Sequence, residues 1–176
     1  MTILADIDVL KLARIRREPN LVYLPFSMQA LLGDIHSRLF PDVAHRVRIY
    51  FVSLGPLACI SYGESEASIY VHELLNHPDT PKEVMTTIIK HELLHLRIKP
   101  ITIPGKKYID QHPPEFREAE RAIAPEKTDA WMWIWSNFLM CLHIRPRLQR
   151  IDVRPSWRER WSMPVMDIEE CRRIDG

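Results

Sequence analysis

Thr80-Pro81-Lys82-Glu83-Val84-Met85-Thr86-Thr87-Ile88-Ile89-Lys90-His91-Glu92-Leu93-Leu94-His95-Leu96 is the stretch that decides the fold. Thr80 and Glu83 have the spacing of a capping box, and Pro81 stands at the first helical position. Nothing breaks the pattern before Lys99-Pro100, so the spacing predicts a helix running to about Ile98. Met85, Ile89, Leu93 and Leu96 recur at helical intervals and form its core stripe. His91 and His95, four apart, point the same way from the helix, with Glu92 beside them.

Two imidazoles at that spacing offer their nitrogens to one metal ion, and the intervening carboxylate reaches a water on that ion. Zinc at such a site polarises a carbonyl and lowers the pKa of its water, while a neighbouring carboxylate moves the proton. Glu92 is the candidate for that acid–base role. A catalytic zinc takes three protein ligands and keeps one position open, so a third ligand must come from further along the chain. His112 is the first choice, because Pro113 biases it towards an extended conformation from which it can project back. Glu118, Glu115 and Glu120 on the following helix are the alternatives. Tyr108, in the loop before His112, is a candidate donor to a developing oxyanion. Glu126 and Asp129 are candidates to orient a metal-bound histidine. His72-Glu73-Leu74-Leu75-Asn76-His77 has one residue too many for the motif, which on a helix turns its second histidine about 140° away from its first.

Outward from this helix, the periodicity changes twice. Residues 3–17 and about 26–40 carry helical spacing, ended by Pro19-Asn20 and by Pro41. Val47, Ile49 and Phe51 then alternate with Arg46, Arg48 and Tyr50, which is a strand with one buried face. Ala58 to Tyr62 and Ser68 to His72 read as two more strands joined through Gly63-Glu64-Ser65-Glu66, giving a small, mostly antiparallel sheet. Ser68 to His72 is a candidate edge strand for an extended peptide. After an irregular loop over residues 100–111, Pro113-Pro114 opens a helix to about Ala124. A tryptophan-rich helix follows over about 126–144. The fold class is therefore α+β: N-terminal helices, a small sheet, the motif helix, and a C-terminal helical cover.

The 176 residues, 46% of them hydrophobic, suit one core. They divide into a domain over residues 1–145 and an arginine-rich extension over 146–176. A net charge of +1 sets up no global field that demands nucleic acid or an anionic membrane. Cys59, Cys141 and Cys171 are scattered, which fits neither a disulfide framework nor a thiolate zinc site, and they read as reduced, mostly buried thiols. Ala130 to Ile144 is shorter than a bilayer requires and is interrupted by Ser136 and Asn137. With no basic flank or long apolar core at the start of the chain, the expectation is a cytoplasmic protein that does not enter membranes. Arg145, Arg147, Arg150, Arg154, Arg158 and Arg160, interleaved with Trp157 and Trp161, are a candidate nucleic-acid contact.

His91-Glu92-Leu93-Leu94-His95 followed by His112-Pro113-Pro114-Glu115-Phe116 resembles the SprT-like metallopeptidases, in which a histidine four residues before an aromatic follows the helix motif. The resemblance spans about residues 31–121, including the strand around Ile69-Tyr70-Val71. It implies a minimal zincin fold, one Zn2+ bound by His91, His95 and His112, and Glu92 as catalytic acid–base acting on a protein or peptide substrate. The chain departs from the family in having Pro113 where many members have glycine, and in lacking their cysteine-based zinc ribbon. The remaining readings are a metal-containing binding or DNA-associated module without turnover, and a zinc hydrolase of a non-peptide amide.

Overall fold

The computed structural model describes residues 22–105 and 109–175; the expected first helix and Tyr108 lie outside them. Helix α1 (Met28–Leu39) starts where the Ser27 hydroxyl accepts the Ala30 N–H at 3.2 Å. Strands β1 (Arg46–Val52), β2 (Ala58–Tyr62) and β3 (Glu66–His72) make a three-stranded sheet in the order β1-β3-β2. The β2–β3 hairpin through Gly63 is antiparallel, as its loop predicts. The expectation of a mostly antiparallel sheet fails at β1, which runs parallel to β3 over seven residue pairs from Arg46↔Glu66 to Val52↔His72.

The physical reason lies in the Gly55-Pro56 turn, where Gly55 takes a φ of 98°. The turn does not fold β2 back onto β1, because its backbone is engaged elsewhere. The Leu57 N–H donates to the Ile151 carbonyl at 2.7 Å, and the Val153 N–H donates to the Gly55 carbonyl at 3.0 Å. β3 fills the space between the two strands, so Ser68 to His72 is central and not the edge expected from sequence; β1 and β2 are the edges. Ile49, Phe51, Ile60, Ile69 and Val71 join the main core. Tyr50, Val52, Cys59 and Tyr70 form a second buried cluster, so β1 is buried on both faces in its second half.

Helix α2 (Lys82–Arg97) carries the motif and packs on β2 and on α1. The expected capping box does not form: Pro81 is the N-cap, and the Thr80 hydroxyl donates to the Leu75 carbonyl at 2.9 Å. That bond ties the helix start to the 3₁₀ turn Glu73–Leu75 at the end of the sheet. Met85, Ile89, Leu93 and Leu96 are all buried. At roughly 2 kcal/mol per fully buried large apolar side chain, this stripe holds the helix in place more firmly than any cap does.

After α2 come a two-residue strand pair, β4 (Ile101–Thr102) and β5 (Ile109–Asp110), and helices α3 (Pro114–Ile123) and α4 (Lys127–Phe138). α4 stops short of the expected Ile144: a 3₁₀ turn and a hairpin of β6 (Leu142–Arg145) and β7 (Arg150–Val153) take over. Leu139, Met140 and Ile144 are exposed as a result, while Trp133 is completely buried with its indole N–H donating to the Met166 carbonyl at 2.7 Å. No helix among the described residues is long and apolar enough to cross a membrane. Short helices α5 (Trp157–Trp161) and α6 (Ile168–Asp175) close the chain, and Val153, Trp157 and Cys171 belong to the same core as α2. Cys59, Cys141 and Cys171 are free and buried.

The two tryptophans of the arginine-rich segment pack against the histidines of the six-residue near-motif. Trp157 meets His72 edge-on at 5.1 Å between ring centroids, and Trp161 meets His77 likewise at 5.1 Å. His72 is fully buried, and its Nδ1 accepts the Leu74 N–H at 3.0 Å. Burial, helped by the Arg158 charge and opposed by the Ser53 backbone, lowers its pKa from 6.5 to about 4. The unfolded chain therefore binds a proton here before the folded chain does. The stability that His72 contributes is complete above pH 6.5 and is lost as the pH falls towards 4, a loss of about 3 kcal/mol at ~1.4 kcal/mol per unit. His72→Gln should flatten the decline in melting temperature across that window relative to the wild-type chain; an unchanged slope would refute the assignment.

Candidate metal centre

His91 and His95 occupy consecutive turns of α2, and His112 arrives from the β5–α3 junction. Each offers one nitrogen such that all three lie within 4.8 Å of one another. The Nε2 atoms of His91 and His112 are 3.1 Å apart, near the roughly 3.3 Å between two nitrogens on one tetrahedral zinc. Pro113, restricted by Pro114, is extended with ψ at 166°, and the helix begins only after it.

Phe116 lies one turn into α3, fully buried, and touches all three imidazoles, with ring centroids 5.1 Å from His91, 4.6 Å from His95 and 4.9 Å from His112. Glu120, four residues on, shares that inward face. Its Oε1 accepts from the His91 Nδ1 at 2.7 Å, and its Oε2 accepts from the Lys127 ammonium. Glu115 and Glu118 fall on the outer side of the same helix and are exposed. The helix therefore brings Glu120 to the cluster behind His91 and leaves the other two glutamates outside it. Glu126 pairs with Lys90 at 2.8 Å and Asp129 with Arg172, so neither touches a histidine of the cluster.

The electrostatics favour neutral imidazoles at His95 and His112. Burial lowers the pKa of His112 to about 4, with His91 adding to the shift, and holds His95 well below its ordinary value for the same two reasons. The Nδ1 of His95 is buried without a hydrogen-bond partner among the described residues. Burial also opposes the charge on Glu120, but the hydrogen bonds from His91 and Lys127 prevail and hold it at about 2. The carboxylate thus fixes His91 as the tautomer protonated on Nδ1, leaving the Nε2 lone pair facing His112. Glu92 is buried, and desolvation raises its carboxyl to about 7, with His91 opposing the shift and Glu120 adding to it. Three imidazoles with nitrogens this close, beside a buried carboxyl raised towards neutrality, fit a divalent ion with imidazole preference.

No protein-family model, characterised protein or solved structure matches the chain.

The sequence offers Glu120 only as an alternative ligand; its contact with the His91 Nδ1, shared with Lys127, emerges from the fold. The signal available was the four-residue interval from Phe116, which places it under the histidines once the helix face is known. Glu120→Ala should weaken divalent-metal binding by about ten- to a hundredfold, measured by competition with a chromophoric chelator at neutral pH. An affinity equal to wild type would show that the carboxylate does not orient His91.

Proposed function

We propose that the protein is a zinc-dependent peptidase of the SprT-like kind, built on a minimal zincin-like domain. The single observation that carries this reading is the convergence of His91, His95 and His112 over Phe116, with Glu92 on the same helix turn. Three imidazoles with no fourth protein ligand in the cluster among the described residues match the donor set of a catalytic zinc, whereas structural sites close all four positions.

A zinc ion in that position supplies Lewis acidity for the scissile carbonyl and makes its water acidic enough to react near neutral pH. Glu92, adjacent to His91 and shielded from bulk solvent, takes the proton from the attacking water and passes it to the leaving amine. Glu120 holds the His91 ring through its Nδ1, and Phe116 excludes water from the far side of the cluster. A peptide substrate has a main-chain partner in β2, the sheet edge that packs on the motif helix; β3 is already paired on both sides.

Purified protein loaded with zinc should hydrolyse casein, lose that activity to a chelator, and regain it when zinc is restored. Glu92→Gln should keep its zinc while turnover falls by a factor of a hundred or more. Diffraction at the zinc edge should place the ion between His91, His95 and His112. Zinc bound at the three histidines with casein left intact by the wild-type chain would point to a binding module; an absent zinc peak would remove the metal reading itself.

A further inference from the structure

Gln149 is the one non-glycine residue with positive φ among the described residues, at φ 49° and ψ 40°. Glycine and asparagine are the usual occupants of this left-handed region, and a longer side chain there is under strain. Backbone strain of this kind persists where the surrounding structure gains something from it. What Gln149 gains is visible in its side chain. It sits at the tip of the β6–β7 hairpin, just after the 3₁₀ turn Pro146–Leu148, and its amide reaches the segment that carries His112.

Every polar atom of that amide is used on one three-residue stretch. Oε1 accepts the Gln111 N–H at 3.0 Å and the His112 N–H at 3.2 Å, while Nε2 donates to the Asp110 Oδ1 at 2.9 Å. The same Asp110 oxygen accepts the His112 N–H at 3.1 Å, which closes the network. The base of the hairpin is anchored to the sheet through Leu57 and Gly55, and Asp152 in β7 binds both Arg145 and Arg150, at 2.6 and 3.0 Å. The hairpin is therefore a braced arm from the sheet to the third imidazole.

His91 and His95 need no such arm, because a packed helix holds them. His112 stands before α3 in a segment whose only strand pairing among the described residues is the two-residue β4–β5 ladder. A ligand on such a segment binds well only if its backbone is held in place before the ion arrives. The geometry points to Gln149 as the positioning residue for His112, acting from the arginine-rich segment on the metal centre. This inference rests on the metal reading given above.

The test uses the full chain as Gln149→Gly, which relieves the strained backbone, and as Gln149→Asn, which tolerates it but is one methylene too short to reach. Metal-free, both should stay folded and melt within a few degrees of the wild-type temperature, because relief of the left-handed backbone offsets part of the hydrogen bonding lost. Both should bind zinc at least tenfold more weakly in chelator competition, and their cobalt-substituted forms should give the visible spectrum of His112→Ala. Wild-type zinc affinity in both variants overturns the positioning role, as does a weakened site that keeps the wild-type cobalt spectrum. His91→Ala separates the two readings: if it leaves zinc binding unaffected, the metal centre is wrong and the role of Gln149 falls with it. If His91→Ala abolishes binding while the Gln149 variants keep it, only the positioning role fails.

Discussion

Phe116 is in ring contact with three histidines from two separate segments, and the architecture around it serves that meeting. An aromatic ring at zero exposure cannot move without opening a cavity, which for a residue of this size costs about 3–5 kcal/mol. Its position fixes α3 against α2, the separation of His112 from His91, and the dry side of the cluster. The depressed basicity of His95 and His112 and the raised carboxyl of Glu92 follow from the same exclusion of water. Packing and electrostatics have one cause here.

A second layer keeps the polar groups consistent with that apolar contact. Glu120 is buried and charged, which is tolerable because both of its oxygens are engaged, by His91 and by Lys127. Lys90 is buried as well and pairs with Glu126 at the start of α4. α4 thus contributes through its first turn, while its buried Trp133 locks it to the segment before α6. The near-motif histidines are held differently: His72 and His77 each accept a local backbone N–H at Nδ1 and pack on Trp157 and Trp161, so one nitrogen of each ring is spent on structure.

Much of the fold was legible because helical and strand periodicities are local. The motif helix, its inward stripe, the β2–β3 hairpin and the proline-led α3 all stand near their expected positions. The capping box failed because Thr80 had a better acceptor in Leu75, seven residues before the helix begins. The Trp-rich helix ends at Phe138, short of its expected limit, because an apolar run looks the same in a helix and in the hairpin that follows it. The parallel pairing of β1 was hidden since strand order depends on which segment fills a gap, and that segment's competitor for the Gly55–Leu57 backbone lies almost a hundred residues away.

For the candidate site the division is equally physical. The four-residue interval of His91 and His95, the carboxylate between them and the extended bias of His112 are properties of the chain alone, since they follow from helix pitch and from the proline ring. Which carboxylate backs a histidine, which strand edge stays open and what holds the third imidazole are not. They depend on side chains from residues 120, 127 and 149 arriving in one place, and no local pattern specifies an arrival. The strained backbone of Gln149 and the inward face of α3 acquire meaning only when the sheet, the two helices and the C-terminal hairpin are packed together.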